Sequence, residues 1–153
     1  MNDKYSRQQL FAPIGHDGQE KIRQANIFVL GAGALGSSAA EMLVRAGVGS
    51  ITIVDRDIIE WTNLHRQQLY TEQNVIDQLP KAIAAERRLK EINSDVNIKG
   101  IIVDVTAENI LELIDGHDLI VDATDNIEIR LLANDAAMQV GIPLFMGACV
   151  GSY

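Results

Sequence analysis

A polar stretch in the first half of the sequence holds most of the side chains that could do chemistry. It runs from Asp55 to Tyr70, reads DRDIIEWTNLHRQQLY, and directly follows the apolar run SITIV. Within it, acidic groups stand close to Asn63 and Arg66. Guanidinium and amide donors are the groups that neutralise charge where two anions, such as a phosphate and a carboxylate, must meet. The stretch therefore indicates an anion-handling site at the end of a strand.

A glycine-rich segment, GAGALG, lies between the apolar run NIFVL and a helical pattern. In such a segment Gly31 permits a tight turn, Gly33 lets the backbone approach a phosphate, and Gly36 lets helix and strand pack closely. The N-terminus of the following helix offers free N–H groups to an anion. Asp55 ends the next strand, where an acid that binds ribose is expected. The alternative is a glycine turn without a ligand, and the flanking strand, helix and acid argue against it.

Apolar runs and helical patterns alternate along the chain, which predicts an α/β fold. Pro80 can start one of the helices, because it has no N–H to lose there. The alternation predicts a Rossmann-like, mostly parallel sheet with helices on both faces. We expect a helical N-terminal segment over 1–25 and one nucleotide-binding domain over 26–153. The predicted strands are 26–30, 50–55, 96–103, 118–122 and 143–149.

The composition excludes several classes of protein. The chain has 153 residues, 47% of them hydrophobic, which is enough for one domain with its own core. Its 13 Lys and Arg against 21 Asp and Glu give a net charge of −8, which argues against nucleic-acid and anionic-membrane partners. The single cysteine, Cys149, excludes a disulfide framework and is expected to be a buried core thiol. Since no apolar signal segment or membrane span is present, we expect a cytoplasmic protein.

Two classes of nucleotide chemistry share the glycine fingerprint: hydride transfer with NAD and activation with ATP. An NAD-dependent oxidoreductase needs an acid on the ribose but does not need Asn and Arg together in the loop that follows. An enzyme that activates a carboxylate with ATP does need such donors, because two anions approach each other. The loop therefore favours ATP. A fragment of an NAD-dependent oxidoreductase and a non-catalytic nucleotide-binding module remain as alternatives.

Several motifs in order carry a family resemblance. The segments YSRQ, GAGALG, DRD, TNLHRQ, LPK and DATDN together resemble the ThiF/MoeB/HesA family, bacterial relatives of ubiquitin-activating enzymes. The resemblance covers nearly the whole chain. It implies an adenylyltransferase that uses ATP to activate the C-terminal glycine of a ubiquitin-like sulfur-carrier protein. The carrier would be ThiS-like or MoaD-like, for thiamine or molybdopterin biosynthesis.

The resemblance also implies roles for individual residues around ATP. Asp55 would hold the ribose, Asn63 and Arg66 would contact the phosphates, and Lys81 would reach the phosphates from the start of its helix. Arg offers a planar fork to phosphate oxygens, whereas Lys acts as a mobile point charge. The full nucleotide-binding set implied in this way is Gly31, Gly33, Ala34, Gly36, Asp55, Asn63, Leu64, His65, Arg66, Lys81, Asp125 and Asn126.

Two further roles follow from the resemblance. Asp125 would hold Mg²⁺ with Asn126 beside it, and a hard cation of this kind is satisfied by one or two carboxylates plus phosphates and water. A competing interpretation is that Asp125 and Asn126 only cap a helix that begins at Ile127. Arg7 would reach an active site from the partner subunit of a homodimer. The implied catalytic set is Arg7, Arg66, Lys81 and Asp125.

The sequence departs from the family pattern at three places. Many members have a glycine where this chain has Ala34, and many read Gly-x-Pro-Lys where this chain reads DQLPK, ending at Lys81. Family members also continue beyond the position of Tyr153. We therefore expect a Rossmann-like ATP-binding domain that is truncated on its C-terminal side. On its own, this domain is expected to be inactive as an enzyme. Zinc would enter only through the region that follows in relatives.

Overall fold

Runs rich in Val and Ile form a five-stranded sheet in which every strand pairing is parallel. We describe residues 3–149 from a computed structural model. The strand order is β3-β2-β1-β4-β5, which confirms the predicted Rossmann-like α/β fold. The strands are β1 (Asn26–Leu30), β2 (Ser50–Val54), β3 (Asn97–Ile101), β4 (Leu119–Asp122) and β5 (Leu144–Met146).

Helices cover both faces of the sheet, as predicted. The α-helices are α1 (Ser6–Gln9), α2 (Gly15–Gln24), α3 (Ala34–Ala46), α4 (Glu72–Ile76), α5 (Lys81–Ile92), α6 (Ile110–Ile114) and α7 (Ile127–Val140), and two 3₁₀ turns span Asp3–Tyr5 and Trp61–Asn63. Helices α3 and α5 pack on one face around Ile51 and Ile53, and α6 and α7 pack on the other around Phe28 and Ile120. Within residues 3–149, none of these helices is long and apolar enough to cross a bilayer.

The central strand β1 marks the point where the chain changes from one face of the sheet to the other. Leu30, its last residue, pairs with Val54 on one side and with Asp122 on the other. The segments that follow β1, β2 and β4 therefore leave the sheet at the same edge. In open α/β sheets, ligands bind at this edge, in the crevice where the strand order reverses.

The N-terminal segment is anchored at the opposite edge of the sheet. Tyr5 is buried, and its hydroxyl accepts a hydrogen bond of 2.8 Å from Asn93 Nδ2. The side-chain amides of Gln8 and Gln19 donate to the carbonyl of Ala46, the last residue of α3, at 3.1 Å and 3.0 Å. The glycine turn lies at the other end of α3, and a helix of this length spans about 20 Å.

The last strand is shorter than predicted, and this overturns the expectation for Cys149. Strand β5 ends at Met146 and, among residues 3–149, pairs with β4 alone, so it forms one border of the described sheet. Cys149 lies beyond the strand and is exposed, so the prediction of a buried core thiol is wrong. An apolar run at a sheet border has a neighbour on one side only, and the apolar pattern alone does not reveal this.

Candidate nucleotide-binding site

The glycine turn joins β1 to α3 and leaves an open approach to the backbone. Gly31 has φ 92°, a left-handed conformation that favours glycine, and its N–H donates to Val54 O at 2.8 Å. A Cβ on Gly36 would overlap the carbonyl of Gly31, so the helix can pack this closely only with glycine there. At Gly33, a Cβ would have only the Gln67 side-chain nitrogen within 4 Å, at 3.9 Å. The turn is thus tight on the protein side and open where a phosphate would approach.

The carboxylate of Asp55 connects this turn to the loop after β2. Its Oδ2 accepts a hydrogen bond from Ala32 N at 2.8 Å, and its Oδ1 accepts one from Asp57 N at 2.8 Å. The side chain is only half-buried. A carboxylate has about four acceptor positions, so these two bonds leave capacity for a ligand hydroxyl. Asp55 can therefore brace the turn and still accept from a ribose.

Tyr70 holds the same turn from the other side, and sequence reasoning missed it. The phenol is buried and donates to the carbonyl of Ala32 at 2.7 Å. Burial, together with the nearby charge of Asp55, raises the pKa of Tyr70 well above its ordinary value. With Ile59 and Leu69, Tyr70 packs into the core beneath α3 and α5. These apolar side chains inside a polar stretch were the available signal that the loop docks onto the domain.

Lys81, the first residue of α5, is buried and pairs with an acid that the sequence left unassigned. Its Nζ lies 2.9 Å from Asp57 Oδ2, and its backbone N–H donates to Asp57 O at 2.9 Å. Pro80 forms the N-cap with φ −61°, as its position predicted. A buried ammonium group needs a counter-charge, and Asp57 supplies it. Since Asp57 also donates to Asp55, one chain of contacts links Lys81 to the glycine turn.

The TNLHR segment presents the guanidinium group of Arg66 at the surface of this loop and buries the amide of Asn63. Asn63 is buried, and its Oδ1 accepts from Glu60 N at 3.0 Å, which leaves its amide nitrogen as the end that can donate to a ligand. Arg66 is exposed, and its Nη1 donates to Thr62 O at 2.6 Å. His65 is exposed and Leu64 packs against the core, so neither side chain shows a contact typical of a ligand-binding group.

The loop after β4 is built on a buried ion pair. Asp122 is completely buried, its Oδ2 lies 2.8 Å from Arg130 Nε, and its Oδ1 accepts from Thr124 N at 2.9 Å. Asn126 is the N-cap of α7, because its Oδ1 accepts from the N–H groups of residues 128 and 129 at 2.8 Å and 3.2 Å. Asp125 is exposed beside it. Asn126 therefore has the capping role that was the competing interpretation, while the carboxylate of Asp125 remains available.

The metal predicted at Asp125 can be tested against the surrounding donors. Among residues 3–149, no group of three or more His, Cys, Asp or Glu side chains is arranged to hold a metal ion. An exposed single carboxylate fits Mg²⁺ that arrives with a nucleotide, because phosphates and water complete its coordination. It does not fit zinc, which takes four protein ligands in structural sites. The residues present thus fit a Mg²⁺ ion carried by ATP.

The family of the chain is shown by its sequence. The family model described as the ThiF family matches residues 5–153. This chain belongs to the ThiF family. The ThiF chain is 63% identical over 153 residues to the sulfur carrier protein ThiS adenylyltransferase of Bacillus subtilis (strain 168), covering 100% of this chain and 46% of that protein. It is 44% identical over 146 residues to the sulfur carrier protein adenylyltransferase of Thermus thermophilus, covering 95% of this chain and 53% of that protein.

A solved structure has the same fold. The E. coli tRNA N6-threonylcarbamoyladenosine dehydratase TcdA, in complex with AMP, matches with a TM-score of 0.86 and 29% identity, covering 93% of this chain and 57% of that chain. The ThiF chain spans about half the length of the curated relatives that it matches.

Arg7 is a predicted site residue that the ThiF chain places away from the glycine turn. It lies exposed on α1, next to the anchor formed by Gln8 at the far end of α3. The distance from that anchor to the glycine turn is about the length of α3, roughly 20 Å. An arginine side chain is too short to cross this distance. Arg7 therefore cannot serve the site of its own chain in this arrangement.

The segment before Lys81 explains one departure from the ThiF pattern. Within the described residues, Gln78 is the one non-glycine residue with positive φ, at 50°. A side chain in this left-handed region is strained by roughly 1–2 kcal/mol, and glycine is not. Many family members read Gly-x-Pro-Lys here, which places glycine at Gln78. The glycine of the family pattern thus matches a backbone requirement of the turn that delivers Lys81.

Replacing Gln78 with glycine should relieve this strain. We expect Gln78→Gly to raise the free energy of unfolding by about 0.5 kcal/mol, because the relief exceeds the added entropy of the unfolded chain. The matched control is Gln73→Gly inside α4, which should lower it by about 1 kcal/mol. Urea denaturation measures both. Equal losses in the two variants would show that Gln78 is not strained.

The buried phenol of Tyr70 should give a pH-dependent contribution to stability. Tyr70→Phe removes a buried hydrogen bond and should cost about 1 kcal/mol near neutral pH. Above the ordinary pKa of 10.0, the unfolded chain releases the phenolic proton while the folded chain keeps it, because its pKa is raised. The stability contributed by the hydroxyl should therefore fall as the pH rises past that value. Urea denaturation of both proteins at neutral and alkaline pH measures the difference, and a constant difference would contradict this account.

Proposed function

We propose that this chain supplies the nucleotide-binding machinery of an ATP-dependent adenylyltransferase, which activates the C-terminal glycine carboxylate of a ubiquitin-like sulfur-carrier protein. One observation carries the proposal: the loop after β2, which carries Asn63 and Arg66, docks on the glycine turn through Asp55 and Tyr70 and is joined to Lys81 through Asp57. The names of the Bacillus and Thermus relatives support the choice of a sulfur carrier as substrate.

The chemistry follows from the charges at this edge. An oxygen of the carrier carboxylate attacks the α-phosphorus of ATP, the bond to the bridging oxygen of pyrophosphate breaks, and pyrophosphate leaves with that electron pair. The acyl-adenylate remains. Arg66 and Lys81 offset the negative charge of the phosphates, which otherwise repels the carboxylate. For this, Lys81 exchanges its ion pair with Asp57 for a phosphate oxygen.

A metal ion contributes further neutralisation. Mg²⁺ bound with ATP would be held by the exposed carboxylate of Asp125, and it would supply a positive charge on the phosphates. Asp122 and Arg130 hold the backbone of the loop that carries Asp125, since Arg130 Nη2 donates to Thr124 O at 2.6 Å. The ribose would lie against Asp55, whose carboxylate retains acceptor capacity.

Two other functions are less well supported. NAD-dependent hydride transfer gives no role to the paired Lys81 or to Arg66. The name of TcdA, a dehydratase of a modified tRNA nucleoside, raises action on tRNA as the other candidate function. That relative is only 29% identical, and this chain carries a net charge of −8. Strong acidity opposes binding to the RNA backbone. A protein carrier is therefore the better substrate.

We also propose that the active form is a homodimer in which Arg7 completes the site of the partner subunit. Arg7 lies on α1, near the end of α3 that is opposite the glycine turn of its own chain, and this position supports the arrangement. Next to it, Leu10 and Phe11 are 74% and 59% exposed, which leaves apolar surface for a second copy. A two-fold axis would use the same contacts twice.

Carrier-dependent exchange of pyrophosphate into ATP tests the proposed reaction. A chimera in which this chain replaces the matching residues of the Bacillus subtilis ThiS adenylyltransferase should catalyse exchange with ThiS. Arg66→Ala should lower its rate at least about 100-fold, because a donor that offsets developing charge is lost. The matched control is Arg88→Ala on the exposed side of α5, which should leave the rate unchanged. An inactive chimera beside an active parent enzyme would refute the proposal, as would an unaffected Arg66→Ala variant.

Mixing two inactive variants of the same chimera tests the dimer. One hybrid site of an Arg7→Ala and Arg66→Ala pair would carry both defects, and the other would carry neither. Random mixing should therefore restore about a quarter of the activity. If hybrid dimers form and no activity returns, Arg7 does not act in the partner's site.

A further inference from the structure

Gln67 is a buried polar side chain that the protein itself does not use. It is 4% exposed, and its Oε1 has no hydrogen-bond partner among the described residues. Burying an amide oxygen without a partner costs stability, so such a group calls for an explanation. The other end of the same amide, Nε2, lies beside the glycine turn, where it can donate a hydrogen bond.

The backbone around Gln67 fixes where this amide points. Its N–H donates to Asn63 O at 3.0 Å, and its carbonyl accepts from Tyr70 N at 3.2 Å. Leu69 and Tyr70 are buried in the core directly after it. The segment is therefore held on both sides, and the side chain is directed at Gly33 by its surroundings.

The gap at Gly33 is the space that a nucleotide phosphate needs. Gln67 Nε2 lies 3.9 Å from the position that a Cβ on Gly33 would take, and no other heavy atom of the described residues lies within 4 Å of that position, apart from the two chain neighbours of Gly33. A phosphate oxygen seated against the open backbone of Gly33 would meet this N–H. Hydrogen bonds from an amide to an ionised phosphate are stronger than neutral ones.

We propose that Gln67 is a nucleotide-binding residue whose side-chain N–H donates to a phosphate oxygen of ATP seated against Gly33. The inference rests on the proposed function. Arg66 and Lys81 offset the charge of the same phosphates, whereas the neutral amide of Gln67 orients them through a directional hydrogen bond. Its role is to fix the position of the phosphates over the turn.

The variant Gln67→Met separates a ligand contact from a structural role. Methionine has a similar length but no donor, and it removes the unpaired buried oxygen. We expect unchanged or higher thermal stability, together with about tenfold weaker binding of ATP in calorimetry, which corresponds to about 1.4 kcal/mol. Binding of adenosine, which has no phosphates, should not change. Gln67→Glu should weaken ATP binding further, because its carboxylate repels the phosphates.

The neighbouring Gln68 provides the matched control. Gln68 is exposed and donates to Glu41 Oε2 at 2.8 Å, so Gln68→Met should leave ATP binding unchanged. If the unsubstituted chain binds ATP and Gln67→Met binds it equally well, the inference is overturned and the proposed function stands. Equal losses for ATP and adenosine, or lost stability with unchanged affinity, would assign Gln67 a structural role and also overturn it. If the unsubstituted chain binds no ATP, the proposed function fails and the inference fails with it.

Discussion

The carboxylate of Asp55 is the contact on which the candidate site depends. One oxygen holds the N–H of Ala32 in the glycine turn, and the other holds the N–H of Asp57 in the following loop. Asp57 in turn pairs with the buried Lys81. A single side chain at the end of β2 therefore sets the relative positions of two segments that must act on one ligand. The neutral phenol of Tyr70 adds a second contact between the loop and the glycine turn, because it donates a hydrogen bond to Ala32 O.

The sheet makes this contact possible. Parallel pairing in register brings the ends of β1, β2 and β4 to one edge of the sheet. The turn after β1 and the acid after β2 are neighbours because of this pairing alone. The glycine at position 36 allows α3 to start directly against the turn. The same topology sends the N-terminal segment to the other edge, anchored by Gln8 and Gln19 on Ala46. The chain thus holds Arg7 at the end of α3 that lies away from the glycine turn.

Local patterns allowed much of this to be predicted from the sequence. The strands, the glycine turn and the helix start at Pro80 depend on neighbouring residues, and the structure has them where expected, although β3 and β5 are shorter than predicted. The Asp57–Lys81 pair and the docking of Tyr70 were not predictable, because they join residues 24 and 38 positions apart. The prediction for Cys149 failed because an apolar run does not reveal which strand forms the border of a sheet.

The central claim is that ATP binds at the edge formed by the glycine turn and the docked loop. Titration of the isotopically labelled chain with Mg-ATP, followed by backbone amide chemical shifts, tests it most directly. The account predicts shifts at Gly31–Gly36, at Asn63–Gln67 and at Lys81, with no change in α2, and much weaker shifts with NAD. Shifts confined to other parts of the chain, or equal shifts with NAD at the same concentration, would contradict it.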